Sequence, residues 1–221
     1  QNQWTFVPRE AAMRQPSTGR KSLISDRVEI GHGPYRIIAG DVGGICKAVA
    51  YLGMGGMQPI EAVEGATVDS AVAAMIEVLD AHMTELQRQR RDGIPGSGEY
   101  LCALAMLPTK MQDFATALTA VAARPAGYSM TLSELEQELR SASADVLAEL
   151  QRLGRKLSAF LGYEPDSGTV GKGLGPLLTF SKVDSAEGDD TARITFHPEF
   201  CQALMDFPKR RPPKISVARR R

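Results

Sequence analysis

The residues whose types could carry catalysis or hold a cofactor are few: three histidines, three cysteines and one glycine-rich lysine loop. His32, between Gly31 and Gly33 in "GHGPYR", could sit in a catalytic loop. A histidine flanked by glycines at a strand end reads more simply as a turn residue. His82 falls beside the packing stripe of a helix and His197 stands before a proline, neither with a cysteine or acid at useful spacing. Cys46, Cys102 and Cys201 lie far apart, without a C-x-x-C or H-x-x-x-H pair, so a metal site is not expected. In "GTVGKGLGP" the gap between Gly168 and Gly171-Lys172 is too short for a phosphate loop, and Gly173 stands where Ser or Thr is needed. "AGDVGG" is not G-x-G-x-x-G. Neither H-E-x-x-H nor G-x-S-x-G occurs, and there is no compact Asp…Glu-x-Lys cluster of the metal-dependent nuclease kind. The expectation is a protein without catalytic residues, cofactor or metal. Any activity would have to be assembled from residues distant in sequence.

The second kind of chemistry open to this chain is recognition of phosphate by cations. Lysine and arginine equal aspartate and glutamate at 26 each, yet Lys209 to Arg221, "KRRPPKISVARRR", holds seven basic residues and no acid. Residues 1–208 therefore carry 19 basic residues against 26 acidic. An acidic body with a basic tail suggests an electrostatic arm for nucleic acid, or one that folds back on the body. Lys209, Arg210, Arg211, Lys214, Arg219, Arg220 and Arg221 are its candidate contacts. Residues 1–26 read as a second, basic arm without periodicity, anchored by Trp4 and Phe6.

The elements that would position such contacts follow from the pattern. The runs "RVEIGHG", "PYRIIAGDV", "ICKAVAYLG" and "QPIEAVEG" favour β-strands, with turns at Gly43–Gly44 and Gly55–Gly56. A long helix follows. Thr67 caps it, Asp69 suits its first turn and Arg88, Arg90 and Arg91 its last. Val68, Val72, Met75, Leu79, Met83 and Leu86 recur at three- and four-residue steps, so one face packs on the sheet. Residues 27–92 thus form a small α/β module for oligomerisation or partner binding.

The segment "YRIIAGDV…VEGATVDSAVAAMIEVLDAHM" resembles the β-β-β-α module of HicB-type antitoxins. There a sheet ends in a Gly-(Asp/Ala)-Thr turn that caps a helix, matched here at Gly65, Thr67, Ala71 and Leu79. The Pro-Asp-Leu-Pro-Gly run of that family is replaced by "GMGGMQPIEAV". The resemblance covers about a quarter of the chain and implies the fold of this segment.

Residues 98–206 carry a different order. A helix stands on each side of Pro108, the second spanning 109–123 with Thr109 as cap. After an extended "GYSM", Thr131 caps a helix, with Glu134 completing a capping box. "RSAS" breaks it, and Ser143 caps a longer helix with a stripe of Val146, Leu150, Leu153, Leu157 and Phe160. Two β-like runs in "PLLTFSKVDSAEGDDTARITFHPEF" then flank a polar turn. Helix, strand, helix, helix, hairpin is the winged-helix order. It resembles the winged-helix domains of bacterial DNA-binding regulators and plasmid replication initiators over residues 109–205, in element order and amphipathic pattern. The expected fold class is α+β: a small antiparallel sheet with one long helix, followed by a winged-helix domain.

That order predicts a third helix in the major groove, early residues nearest the bases. Ser141 and Ser143 could meet phosphate or a base edge, and Arg152, Arg155 and Lys156 the backbone. Lys182 and Arg193 would flank the wing. Asp145, Glu149, Asp184, Glu187, Asp189 and Asp190 oppose this, since phosphate repels them. Three readings stay open: DNA contact by the third helix, a winged helix that dimerises or docks protein, and a different helical fold.

Composition bounds the setting. At 43% hydrophobic and 24% charged residues the chain reads as an ordinary globular protein. No apolar run is long enough to span a membrane, and no apolar segment near residue 1 suggests a secretory signal. Scattered cysteines fit a reducing cytosol. The expectation is a cytoplasmic, non-catalytic binder of duplex DNA, of the bacterial regulator or plasmid/phage maintenance type, with a possible homodimer or protein partner through residues 27–92. The alternative is a structural or adaptor subunit of a larger nucleoprotein or defence complex.

Overall fold

A computed structural model describes residues 24–53, 59–125, 127–165, 173–184 and 192–207. The N-terminal arm, the Gly55–Gly56 turn, the lysine loop through Lys172, the wing tip and the basic tail lie outside these residues.

Four strands, β1 (Ile24–His32), β2 (Tyr35–Val42), β3 (Ile45–Leu52) and β4 (Pro59–Gly65), form an antiparallel meander in chain order. Gly43 and Gly44, both at positive φ, make the β2–β3 turn. α1 (Val68–Arg88) crosses one face of the sheet. Its start is as the sequence indicates: the Thr67 hydroxyl accepts from the Ser70 N–H, and Ser70 Oγ accepts from the Thr67 N–H. Ala71, Val72, Met75, Leu79 and Leu86 are buried against Tyr35, Ile37, Ala39, Ala48 and Ala50, each large side chain contributing about 1.5–3 kcal/mol by leaving water. His82 belongs to this buried face rather than beside it.

The end of α1 departs from expectation. Arg90 and Arg91 lie beyond the helix, whose C-cap is Gln89. Arg90 forms a bidentate ion pair with Glu99, which is 2% exposed, and donates to the Leu161 carbonyl at 2.6 Å. The cation serves a buried carboxylate instead of the helix dipole, because one charge cannot be left in the interior without a partner.

α2 (Ser97–Ala105) leads to α3 (Thr109–Ala117) and α4 (Thr119–Ala122), where one helix over 109–123 was expected; Pro108, not Thr109, holds the N-cap position. β5 (Ser129–Thr131), α5 (Leu132–Leu139) and α6 (Val146–Leu161) follow, then a 3₁₀ turn (Gly175–Thr179), β6 (Ser181–Asp184), β7 (Arg193–Phe196) and α7 (Pro198–Asp206). "PLLT" is therefore a 3₁₀ turn and "PEF" the start of a helix. Both read as strand from their apolar residues, yet Pro176 and Pro198 sit at helix starts, where proline's missing N–H costs nothing.

β7 pairs with both β5 and β6, giving sheet order β5-β7-β6. With α5 and α6 between β5 and β6, this is the winged-helix arrangement. The chain is a mixed α+β protein: a four-stranded antiparallel sheet with one long helix, followed by a winged helix. Its second core gathers Tyr100, Leu104, Leu118, Leu135, Leu150, Leu153, Leu157, Phe180 and Phe200, and Leu52 and Phe160 pack against both cores. The aromatic rings of Phe180, Phe196, Phe200 and Tyr100 pack edge-to-face or tilted at 4.9–5.8 Å between centroids, and the Tyr100 hydroxyl donates to the Thr179 carbonyl at 2.6 Å.

Candidate nucleic-acid interface

The turn before α6 sets which residues that helix presents. α5 begins with a complete capping box: Thr131 Oγ1 accepts from the Glu134 N–H, and Glu134 accepts from the Thr131 N–H at 2.7 Å. That backbone donor holds the Glu134 carboxyl below the usual carboxylate range, with the nearby Arg193 and Arg124 cations adding to it. α5 ends at Leu139. The N-cap of α6 is Asp145, whose carboxylate accepts from the Ala148 N–H at 3.0 Å, and not Ser143. Ser143 supports the cap from outside, its Oγ accepting from the Asp145 N–H at 3.1 Å. An aspartate that opposes DNA by its charge is thus required by the helix, because a carboxylate satisfies an orphan N–H and suits the positive end of the dipole.

Val146, Leu150, Leu153, Gly154, Leu157 and Leu161 turn inward from α6. Leu161 takes the place expected for Phe160, which is half-buried between the two cores. Arg152, Arg155, Lys156 and Ala159 remain exposed on the opposite side. A buried stripe on one side and cations on the other leave this helix no rotational freedom, so the cations occupy fixed positions. Arg152 pairs with Glu149 one turn earlier. With Arg152 exposed and Glu149 half-buried, such a pair is worth about 1 kcal/mol, so phosphate can compete for the arginine.

Gly154 explains how α6 meets the next element. A Cβ there would lie 2.0 Å from the Pro176 carbonyl oxygen. The glycine lets the 3₁₀ turn reach the helix backbone, and from that turn the chain runs directly into β6.

On the β6–β7 ribbon, Val183, Ile194 and Phe196 face the core, while Lys182, Asp184, Arg193 and Thr195 alternate outward. Register places Lys182 opposite Thr195 and Arg193 opposite Asp184. Arg193 therefore has an acid across the ladder, which the linear sequence did not reveal.

Of the other candidates, Ser141 is exposed in the turn after α5. Ser143 and Arg152 come together on a cleft of about 530 Å³, joined by Lys110, Asp113 and Glu149. Lys110 carries no signal in the linear sequence. It reaches this cleft only through the packing of α3 on α6, and no local pattern records that. Arg155 and Lys156 lie on the same helix face as Arg152. Lys209, Arg210, Arg211, Lys214, Arg219, Arg220 and Arg221 lie outside the described residues.

The histidines separate by environment. His32 is not an isolated turn residue: its Nε2 lies 2.7 Å from Asp80 Oδ1, tying β1 to α1. His82 and His197 are buried with Nε2 unpartnered, and burial pushes both below the usual imidazole pKa. The three cysteines are free thiols; burial raises Cys102 to about 11, so it stays a protonated, unreactive thiol. Among the described residues, no cluster of three or more histidine, cysteine, aspartate or glutamate side chains could hold a metal, and no helix is long and apolar enough to cross a membrane.

No protein-family model, curated protein or solved structure matches this chain.

Proposed function

We propose that this protein binds duplex DNA without catalysis, as a regulator or a plasmid or phage maintenance factor acting in the cytoplasm. The observation that carries the reading is the outer face of α6. Arg152, Arg155 and Lys156 project from a helix whose other face is fully buried, within a winged-helix topology that ordinarily presents this helix to the major groove. In this reading the three cations bind phosphate and set the register, and Ser141 and Ser143 lie at the end nearest the bases. Lys182 and Arg193 contact the flanking backbone, and the basic tail adds affinity without sequence information.

The test is fluorescence anisotropy with a random-sequence duplex at two salt concentrations. It compares residues 1–221, residues 1–208 and the Arg152→Ala/Arg155→Ala/Lys156→Ala variant. The triple variant is expected to bind at least about tenfold more weakly with a shallower salt slope, since each lost phosphate contact removes about 0.9 from the log–log slope. Removing the tail should weaken all sequences alike. Unchanged affinity in the triple variant would refute the role of α6.

A second reading is a structural or adaptor subunit of a nucleoprotein or defence complex, in which the winged helix docks protein. It is favoured by one observation, an open pocket of about 280 Å³ lined by Val121, Met130, Ile194, Phe196 and Met205 together with the polar Arg124 and Gln202. Tyr128, 42% exposed, stands at its edge with the Arg124 guanidinium 4.8 Å above the ring. Absence of DNA binding by either chain length would select this reading.

A further inference from the structure

The four-stranded sheet has a second face. α1 covers the side bearing Tyr35, Ile37, Ala39, Ala48 and Ala50; the alternate residues of the same strands point away from it. An antiparallel sheet with one solvated face ordinarily alternates apolar and polar residues. Among the described residues no element packs on this face, and two of its central rows are apolar. Ile38 of β2 stands beside Val49 of β3 and Ala62 of β4, and Val42 stands beside Ile45, which are 48% and 52% exposed. Charges stand on the edge strands, at Arg27, Glu29 and Glu64, and on the central ones, at Arg36 and at Lys47 between the two apolar rows. Arg27 and Glu29 of β1 approach at 3.5 Å, Arg36 lies 3.5 Å from Glu29 and over the Tyr51 ring, and Lys47 lies 3.8 Å from Glu64.

We infer that a second copy of this chain docks on this face, sheet against sheet, about a twofold axis parallel to the strands. The argument is self-complementarity. Such an axis lays β1 over the other copy's β4 and β2 over its β3, while leaving each cross-strand row at its own level. The register then stacks Ile38 on the second copy's Val49, and Val42 on its Ile45, each contact occurring twice. Arg36 falls over the second copy's Tyr51, a cation–π partner. Arg27, in the β1 bulge at the level of Gly40, falls over its Glu64. Lys47 stands at the level of Gly40 of the second copy. Across the axis the two copies' Lys47 side chains, and likewise their Arg36 side chains, stand about one strand spacing apart, each beside an acid of its own chain, Glu64 or Glu29. A twofold axis makes the contact isologous, the commonest arrangement among homo-oligomers. Four strands about 4.8 Å apart and about 3.3 Å rise per residue give a patch on the order of 20 by 25 Å. That is a small interface, so association is expected at micromolar concentrations rather than obligately. The inference does not depend on DNA binding.

Sedimentation velocity of the full chain over a concentration series tests it, with circular dichroism to check folding. The wild-type chain should pass from monomer to dimer, and Val49→Asp should remain monomeric. If Val49→Asp unfolds, a charge swap at the margin decides. Arg27→Glu and Glu64→Arg should each weaken dimerisation at least about tenfold, by opposing like charges across the axis. The double variant should recover most of the affinity. Within one chain each swap only sets like charges side by side, the first next to Glu29 and the second next to Lys47. The two positions stand on opposite edges of the sheet, three strand spacings or about 14 Å apart, too far to compensate each other directly. Recovery can therefore arise only between copies. A wild-type chain that stays monomeric, or a dimer indifferent to all these changes, overturns the inference.

Discussion

Replacing Gly154 with alanine should destabilise the protein, although the same change in an open helix stabilises it. In a helix interior, glycine costs about 1 kcal/mol relative to alanine, and Gly154 lies well inside α6. The added Cβ would stand 2.0 Å from the Pro176 carbonyl oxygen, 2.6 Å from its carbon and 3.2 Å from Pro176 Cβ. Contacts below 3.0 Å are not tolerated, so the 3₁₀ turn must withdraw by at least about 1 Å from backbone that cannot rotate aside. That turn carries the fully buried Leu177 and leads into Phe180 at the centre of the aromatic cluster. Overpacking of this kind costs about 1–3 kcal/mol and occasionally more, here with the displaced Leu177 and Phe180 at the upper end. After the propensity gain, a net loss of about 1–2 kcal/mol remains, or roughly 2–8 °C in Tm for a chain of this size. Thermal and urea unfolding followed by circular dichroism would measure it. Gly162→Ala is the comparison: that glycine ends α6 at φ +55° with nothing within 4 Å, so its loss of about 1 kcal/mol comes from backbone strain alone. A Gly154→Ala protein with raised Tm would refute the close approach of the turn to α6.

Three further expectations concern a buried charge, protonation and a helix cap. Glu99→Ala strands Arg90 and frees the Leu161 contact; because Arg90 is 23% exposed, the cost should be about 2–4 kcal/mol, somewhat below that of a fully buried pair, and denaturant unfolding would read it. Stability should fall with acid. His82 and His197 have folded-state pKa values lowered by burial, so the unfolded chain binds protons that the folded one refuses. Their contribution is complete above the unfolded value near about pH 6.5 and is lost as pH falls towards the folded values, by up to about 1.4 kcal/mol per unit for each histidine. His82→Leu should flatten that slope between about pH 7 and 5, and a slope identical to wild type would show that His82 is not the titrating group. Asp145→Ala should cost about 1 kcal/mol through loss of the α6 cap yet strengthen DNA binding, since it removes a negative charge from the proposed interface; weaker binding with an intact fold would contradict the placement of DNA at that end of the helix.

Sequence alone determined the elements whose signals are local. Thr67 and Thr131 cap helices because a hydroxyl reaches an N–H three residues on, and the apolar steps of α1 and α6 specify their buried faces. The strand–helix–helix–hairpin order fits only a short list of folds, the winged helix among them. Tertiary structure decided whatever depends on residues distant in the chain. Arg90 left the helix dipole for Glu99 because a buried carboxylate demands a cation. Gly154 was set by the approach of Pro176, Lys110 was brought to Ser143 and Arg152 by packing, and Asp184 was set across from Arg193 by strand register. Short-range hydrogen bonding and periodicity are written in neighbouring residues, whereas partners of buried charges and close backbone contacts exist only once the chain has closed on itself.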